Sequence, residues 1–140
     1  MAKHNELGAL GEDIACKFLE NKGFSIIVRN YRKPWGELDI VAERNGLLHF
    51  VEVKSVTWKR VSHETQSGDV SHETRFQPED AVHPRKVQRL RRVIRSYLLD
   101  VERDHGDPTQ EIRWVFDIAA VFVDQKDRTA RVRFRENVVL

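Results

Sequence analysis

The sequence predicts one α/β domain with its elements in the order α-β-β-β-α-β-β. Two segments carry apolar residues at helical spacing, several shorter runs are apolar and β-branched, and an Asn-Gly dipeptide joins two of those runs. A chain of 140 residues with 40% hydrophobic content has enough apolar side chains to fill one core. We therefore assign residues 1–140 to a single domain.

The first helix is predicted from an apolar stripe that lies between a capping residue and a stop signal. Asn5 is placed to cap the start of the helix, and Gly23 is placed to end it. Residues 24–30 then form an apolar, β-branched run that predicts the first strand. The helical stripe consists of Leu7, Leu10, Ile14, Phe18 and Leu19.

The next two strands, residues 37–43 and 47–54, are predicted to form an antiparallel hairpin. Asn45-Gly46 lies between them and is a strong signal for a two-residue turn. Such a turn makes Arg44 face Leu47 and sets the register of every later pair in the hairpin.

The segment after the hairpin, residues 55–80, loses all periodicity and predicts a mobile loop. It contains a duplicated Ser-His-Glu-Thr, at residues 62–65 and 71–74. Two copies are too few for a repeat protein, and long loops of this kind are usually functional or disordered. The remaining predicted elements are a helix beginning near Pro84 and strands over residues 112–123 and 130–139.

The hairpin register brings four ionisable side chains together, because it makes Asp39 face Glu52 and Glu37 face Lys54. Directly opposed side chains lie about 4.5–5.5 Å apart, where like charges repel unless a cation neutralises them. Mg²⁺ and Mn²⁺ favour such carboxylate oxygens. A neighbouring lysine would hold a phosphate or act as a base, which predicts phosphodiester hydrolysis. The alternative is a Glu37–Lys54 ion pair on a solvated sheet face, with the other two acids merely exposed.

Four motifs resemble those of the YraN-like proteins, a family of the PD-(D/E)XK nuclease superfamily that is similar to the archaeal Holliday-junction resolvases. The resemblance runs from about Leu7 to the last strand and implies a restriction-endonuclease-like mixed β-sheet flanked by helices. The motifs are Gly11-Glu12, Gly36-Glu37-Leu38-Asp39-Ile40-Val41, Phe50-Val51-Glu52-Val53-Lys54 and Phe116-Asp117-Ile118-Ala119.

The resemblance implies a role for each acid and for the lysine. Asp39 and Glu52 would be metal ligands, Lys54 the catalytic lysine and Glu12 an accessory acid, and a homodimer is also indicated. Small residues around Glu12 would let the first helix approach the sheet, so that Glu12 could act at the metal site. The alternative is that Glu12 is an ordinary first-turn glutamate favoured by the helix dipole. Asp117 is a weaker candidate, because it could simply satisfy a neighbouring backbone group or arginine.

A basic face on the second helix, together with two cations before the hairpin, predicts a track for nucleic-acid phosphates. Acids are absent from this face between Arg85 and Ser96, so its like charges repel unless an anion is present. The alternative is a solubilising surface. Trp35 and Trp58 are candidates for stacking on bases. The predicted nucleic-acid-binding residues are Arg32, Lys33, Arg85, Lys86, Arg89, Arg92 and Arg95.

The leading hypothesis is a Mg²⁺- or Mn²⁺-dependent endonuclease acting on DNA, with branched and single-stranded forms as candidate substrates. One rival is a non-catalytic nucleic-acid-binding module that keeps the nuclease fold, and another is a protein-interaction domain. A zinc site at His63 and His72 fits no standard ligand spacing. The single cysteine, Cys16, and the lack of an apolar leader or spanning segment predict a cytoplasmic protein without a membrane partner.

Overall fold

The computed structural model describes residues 2–57, 84–105 and 111–140 of the chain. These residues form helices and strands in the predicted order α-β-β-β-α-β-β. The rest of the predicted loop beyond Thr57, with Trp58, His63 and His72, lies outside the described residues. The elements are α1 (Ala2–Asn21), β1 (Ser25–Lys33), β2 (Gly36–Arg44), β3 (Leu47–Thr57), α2 (Pro84–His105), β4 (Trp114–Asp124) and β5 (Thr129–Arg135).

The strands form one mixed sheet in the order β1-β2-β3-β4-β5. The neighbours β3 and β4 are parallel, and α2 lies between them in the chain as the crossover that parallel strands require. The other neighbouring strands are antiparallel. The prediction of a mixed sheet flanked by helices is therefore confirmed.

The two helices pack against different sets of sheet residues, as the alternation of side chains along a strand requires. Ala15 and Leu19 of α1 share a buried cluster with Ile40 and Val51, whereas Phe50 belongs to a second cluster. That second cluster includes four side chains of α2: Leu90, Val93, Ile94 and Tyr97. The sheet is thus covered on both faces over its central strands.

Helix α1 ends as predicted but begins earlier. Gly23 has a φ of 91°, and the main-chain N–H groups of Gly23 and Phe24 donate to Glu20 O and Leu19 O at 3.1 and 3.0 Å. These bonds form a glycine C-cap of the Schellman type. The prediction that Asn5 caps the start is wrong, because the helix begins at Ala2 and Asn5 lies inside it. A capping signal is a local preference that a continuing helix overrides.

The β2–β3 turn is confirmed by its backbone, because Asn45 and Gly46 have φ values of 55° and 76°. The predicted register is also confirmed from Arg44–Leu47 to Ile40–Val51. The ladder stops at that last pair. The predicted cross-strand pairs of Asp39 with Glu52 and of Glu37 with Lys54 are therefore wrong, for a reason that lies in the side chain of Asp39.

Strand β3 is longer than predicted and takes in the first residues of the predicted loop. Ser55, Val56 and Thr57 pair with Val121, Phe122 and Val123 of β4. A parallel partner supplies main-chain hydrogen bonds without any alternation in the sequence, so periodicity did not reveal them. Strand β5 is shorter than predicted and ends at Arg135, after which the Val138 N–H donates to Phe116 O at 2.7 Å.

Candidate functional site

The candidate site lies where β2 and β3 separate, and Asp39 is at its centre. One oxygen of the Asp39 carboxylate, Oδ2, accepts a hydrogen bond of 2.8 Å from the main-chain N–H of Val53. In the register of the hairpin, Val53 would have paired with Leu38. The carboxylate has replaced a main-chain acceptor, so the ladder ends and a gap opens between the two strands.

Burial raises the pKa of Asp39 from an ordinary value of 3.8 to about 7. The Val53 N–H opposes this shift, because it stabilises the ionised form, whereas the charges of Glu52, Glu12 and Glu37 add to it. The predicted acids therefore do act on one another, even though they are not cross-strand partners. A carboxyl group with such a pKa is close to half ionised at neutral pH.

Glu52 has two carboxylate oxygens with different surroundings. Its Oε1 accepts a charged hydrogen bond from Lys86 Nζ of α2 at 2.6 Å, and the Glu52 side chain is only 13% exposed. Its Oε2 is buried and has no hydrogen-bond partner within the described part of the chain. An unpartnered buried carboxylate oxygen is costly and points to a missing ligand.

Lys54 lies beside Lys86 rather than opposite Glu37. Burial lowers the pKa of Lys54, and the hydrogen bond and positive charge of Lys86 lower it further. Burial is the largest single influence on the pKa of Lys86 and lowers it, but the hydrogen bond and charge of Glu52, with smaller contributions from Lys54 and Asp39, together raise that pKa above its ordinary value. Glu37 instead forms an ion pair with Arg32 of β1, with 3.2 Å between the charged atoms.

Glu12 lies on α1 and acts on Asp39 through its charge. Its charge contributes to the raised pKa of Asp39, and its Oε1 lies 3.6 Å from a guanidinium nitrogen of Arg29. The next residue, Asp13, accepts a shorter hydrogen bond of 2.8 Å from Arg29. Helix α1 can come this close because Gly11 has no side chain: a Cβ there would lie 1.7 Å from Ser55 Oγ.

A cavity of about 330 Å³ opens onto the carboxylates from the side of α2. A larger cavity of about 550 Å³ lies between α2 and the C-terminal segment, but no Asp or Glu among the described residues lines it. We regard the smaller cavity as the candidate site, because carboxylate side chains line it and, among the described residues, none lines the larger one. Its lining residues are Gly36, Glu37, Asp39, Glu52, Lys86, Arg89, Leu90 and Val93.

The residues predicted to bind nucleic acid separate into groups. Lys86 and Arg89 line the carboxylate cavity, whereas Arg95 lines the larger one. Lys33 forms an ion pair of 3.3 Å with Asp100, and the guanidinium of Arg92 lies 4.6 Å from the centre of the Trp35 ring. The remaining predicted residues, Arg32 and Arg85, are exposed.

The contact with Arg92 also bears on Trp35. Its indole N–H donates to Ser96 Oγ at 3.0 Å, so both ends of the side chain are engaged with α2. Trp35 therefore fixes the β1–β2 turn against that helix. The predicted role in base stacking is not needed to explain the residue, and it stays a prediction.

Sequence reasoning missed two groups of residues. The first is His49, the buried partner of Asp117: the weaker candidate Asp117 accepts a hydrogen bond from the Asn137 main-chain N–H at 2.9 Å, as its backbone alternative predicted, and pairs with His49 Nδ1 at 2.6 Å. Burial raises the pKa of Asp117, although both of these contacts oppose the shift. His49 and Asp117 each interrupt an apolar run on an adjacent strand, and that shared interruption was the available signal.

The second missed group is a row of arginines on β5: Arg131, Arg133 and Arg135. Lys54 is the register partner of Ala120, and Ala120 is the partner of Arg133, so the row lies on the same face as Lys54. Alternate residues of a strand are about 6.6 Å apart, which extends the positive charge along the edge of the sheet. The alternating pattern from Thr129 onward was the signal in the sequence.

The donor set fits a hard divalent cation. Mg²⁺ typically takes one or two protein carboxylates and completes its shell with water and substrate phosphate. Asp39 and Glu52 supply two carboxylates, and the unpartnered Glu52 Oε2 supplies a free ligand atom. The described residues contain no group of three or more His, Cys, Asp or Glu that could hold a metal by itself.

A mixed sheet with this order of elements, flanked by helices and carrying two acids and a lysine on neighbouring strands, is consistent with the restriction-endonuclease-like class. The chain belongs to the Uncharacterised protein family UPF0102, whose model matches residues 11–123. The resemblance to the YraN-like family is thereby confirmed. The matched region includes every proposed acid and Lys54.

The relatives have chains of similar length to this one. A UPF0102 protein of Flavobacterium psychrophilum is 36% identical over 127 residues, covering 91% of this chain and 89% of the relative. One of Flavobacterium johnsoniae is 36% identical over 121 residues, covering 86% and 85%. One of Helicobacter pylori is 38% identical over 96 residues, covering 69% of each. Within the described ranges, neither helix is apolar enough over a sufficient length to cross a membrane.

Proposed function

We propose that this chain is a Mg²⁺- or Mn²⁺-dependent endonuclease that hydrolyses phosphodiester bonds in DNA. The observation that carries the proposal is the buried, unpartnered Oε2 of Glu52 beside a second carboxylate, that of Asp39. These two residues would hold the cation. When bound, such a cation supplies a Lewis acid that offsets the charge developing on the phosphate. A DNA substrate also implies a cytoplasmic location.

The other side chains of the site have chemistry suited to a phosphodiester. Lys54 is close to the acids and has a lowered pKa, so it is suited to hold a phosphate oxygen or to accept a proton from water. Glu12 would act on the site through its charge, from the side of α1. Arg89 lines the cavity and would hold a neighbouring phosphate of the DNA backbone.

One observation favours the alternative of a non-catalytic nucleic-acid-binding module. Lys86 already neutralises the charge of Glu52, so this carboxylate has a counter-ion without any metal ion. In that case the basic residues would bind phosphates and the acids would serve only as their counter-ions. A binding module of this kind would associate with DNA in EDTA and would never cut it.

The test is a cleavage panel of linear, single-stranded, flap and four-way-junction DNA, each incubated with Mg²⁺, Mn²⁺ or EDTA. We expect metal-dependent cleavage of at least one substrate, with a preference among the structures. Binding to DNA without cleavage under every condition would establish the binding module. Failure both to bind and to cleave would point to the protein-interaction domain instead.

A homodimer belongs to the same proposal, because a junction has two strands to cut symmetrically. Sedimentation or light scattering of the protein with and without junction DNA tests it. We expect two copies of the chain on each junction, and a single copy would remove the homodimer from the proposal.

A further inference from the structure

Lys86 is the one proposed nucleic-acid contact that the structure, within its described residues, joins directly to a proposed metal ligand. It lies in the first turn of α2, and its Nζ is 2.6 Å from Glu52 Oε1. Glu52 is on β3, so the ion pair joins the start of the helix to the centre of the sheet. Because the Glu52 side chain is only 13% exposed, solvent screens this pair less than a surface pair.

The position of Lys86 relieves a charge imbalance in the metal-free protein. The charges of Glu52, Glu12 and Glu37 all act on Asp39, and such a group of acids is unfavourable without a nearby cation. Lys86 supplies that cation on the side of Glu52, and Lys54 lies beside it. Two lysines already provide two positive charges close to the two proposed ligands.

A divalent cation at Oε2 of Glu52, which has no partner within the described residues, would be repelled by the two lysines. It would bring two further positive charges next to Lys86 and Lys54, in a partly buried region where repulsion is weakly screened. A cation bound at this Oε2 would also share one carboxylate charge with the ammonium group of Lys86 on Oε1, so the two compete for Glu52. A lysine side chain has a flexible four-carbon stem, so Nζ can leave the carboxylate without a change in the backbone.

We propose that Lys86 is an internal counter-ion that occupies the Glu52 side of the carboxylate site until a divalent cation displaces it. Lys86 is then a positioning residue that sets how tightly the cation binds, and its released ammonium group faces the cavity in which Arg89 lies. This inference rests on the proposed function for the cation itself. It adds that, in the metal-free protein, Lys86 occupies one of the two carboxylate oxygens of Glu52 and so weakens cation binding.

A purely structural role for Lys86 makes the opposite prediction. If Lys86 only holds Glu52 in its ligand position, its removal loosens Glu52 and weakens cation binding. If Lys86 competes with the cation, its removal strengthens cation binding and at the same time destabilises the metal-free protein. The sign of the change in affinity therefore separates the two roles.

The experiment is calorimetric titration of Mn²⁺ into the full chain and its variants without nucleic acid, with thermal unfolding of each variant with and without Mn²⁺. The test variants are Lys86→Met, which removes the charge, and Lys86→Arg, which keeps it. Lys17→Met is the matched control, because it makes the same change at an exposed position on α1. Lys86→Gln replaces Lys86→Met if the latter does not unfold cooperatively.

We expect Lys86→Met to bind Mn²⁺ on the order of tenfold more tightly than the wild type, within the usual range of coupling between two ligands. Its metal-free unfolding temperature should fall, and the rise caused by saturating Mn²⁺ should exceed that of the wild type. Lys17→Met and Lys86→Arg should both keep the wild-type affinity within a few-fold.

Unchanged or weaker binding by Lys86→Met, with binding by the wild type intact, would overturn the inference and leave the proposed metal site standing. Binding by Lys86→Met alone would support the inference in its strongest form. Absence of Mn²⁺ binding in both proteins without nucleic acid would overturn the inference, whereas the proposed metal-dependent function falls only if the cleavage panel also shows no metal-dependent cutting.

Discussion

The carboxylate of Asp39 accepts its hydrogen bond from the main-chain N–H of Val53, a residue of the neighbouring strand, at 2.8 Å. The β2–β3 ladder ends at this contact, and the charges of Glu52, Glu12 and Glu37 act on the same carboxylate. Asp39 therefore has a structural role as an acceptor and a proposed chemical role as a ligand. The first two predictions separate those roles.

Asp39→Asn should abolish Mn²⁺ binding and DNA cleavage while the protein stays folded. The amide oxygen can still accept the Val53 N–H, and the loss of one negative charge relieves repulsion, so metal-free stability should hold or rise. Glu52→Gln should also abolish both activities. Calorimetry with Mn²⁺ and a cleavage assay check this, with Glu37→Gln as the control in the same cavity. Cleavage by either variant at the wild-type rate in Mg²⁺ would show that the site is wrongly assigned.

The raised pKa of Asp39 predicts how stability depends on pH. The folded protein keeps the proton up to about pH 7, whereas the unfolded chain loses it near pH 3.8. Asp39 therefore contributes stability that is fully present below pH 3.8 and is lost as the pH rises through about 7. Across this window the free energy of unfolding of the wild type, relative to Asp39→Asn, should fall by at most about 1.4 kcal/mol per pH unit.

Urea unfolding of the two proteins at several pH values, in EDTA, measures that difference. Asp39→Asn is the appropriate reference because it keeps the hydrogen bond to Val53 and lacks only the titrating group. A difference that stays constant, or grows with pH, would mean that the carboxyl group of Asp39 does not have a raised pKa.

Lys54→Ala should separate metal binding from chemistry. Both proposed ligands remain, so Mn²⁺ affinity should be retained or rise, while single-turnover cleavage should fall by about a hundredfold or more. The same assays on Lys126→Ala, a lysine of the exposed turn between β4 and β5, control for the removal of one charge. Equal cleavage rates for Lys54→Ala and the wild type would remove Lys54 from the mechanism.

The basic face of α2 should supply affinity that is independent of DNA sequence. Replacing Arg85, Arg89 and Arg92 together by Ala should weaken binding to all DNA and flatten its salt dependence by about 0.9 for each phosphate that the protein no longer neutralises. Fluorescence anisotropy at several salt concentrations measures both. The matched comparison replaces the β5 arginines Arg131, Arg133 and Arg135. If only that triple variant binds DNA more weakly, the DNA path follows β5 and not α2.

The sequence predicted the elements and the local register well, because these depend on short-range chemistry. Asn45-Gly46 specified a turn, and the five pairs from Arg44–Leu47 to Ile40–Val51 followed from it. The same reasoning failed one pair later. A side chain that replaces a main-chain acceptor, as Asp39 does for the Val53 N–H, leaves no trace in hydrophobic periodicity.

The partner of Glu52 was missed for a different reason. Lys86 was assigned to a basic helix face, and nothing local distinguishes it from Arg85 or Arg89 on that face. Its contact with Glu52 arises only when the crossover places the start of α2 over β3. Contacts between residues far apart in the chain depend on tertiary packing, so they required the structure.

The close approach of Gly11 to Ser55 affects the pKa of Asp39, because it determines how near Glu12 lies to that carboxyl group. A methyl group there would lie 1.7 Å from Ser55 Oγ, which could rotate away, and 2.9 Å from Ser55 Cβ, which could not, so α1 and β3 would have to move slightly apart. Glu12, the next residue along, would retreat with α1, and its contribution to the raised pKa of Asp39 would shrink. The lack of a side chain at position 11 thus contributes to the raised pKa of Asp39, a residue of another element of the fold.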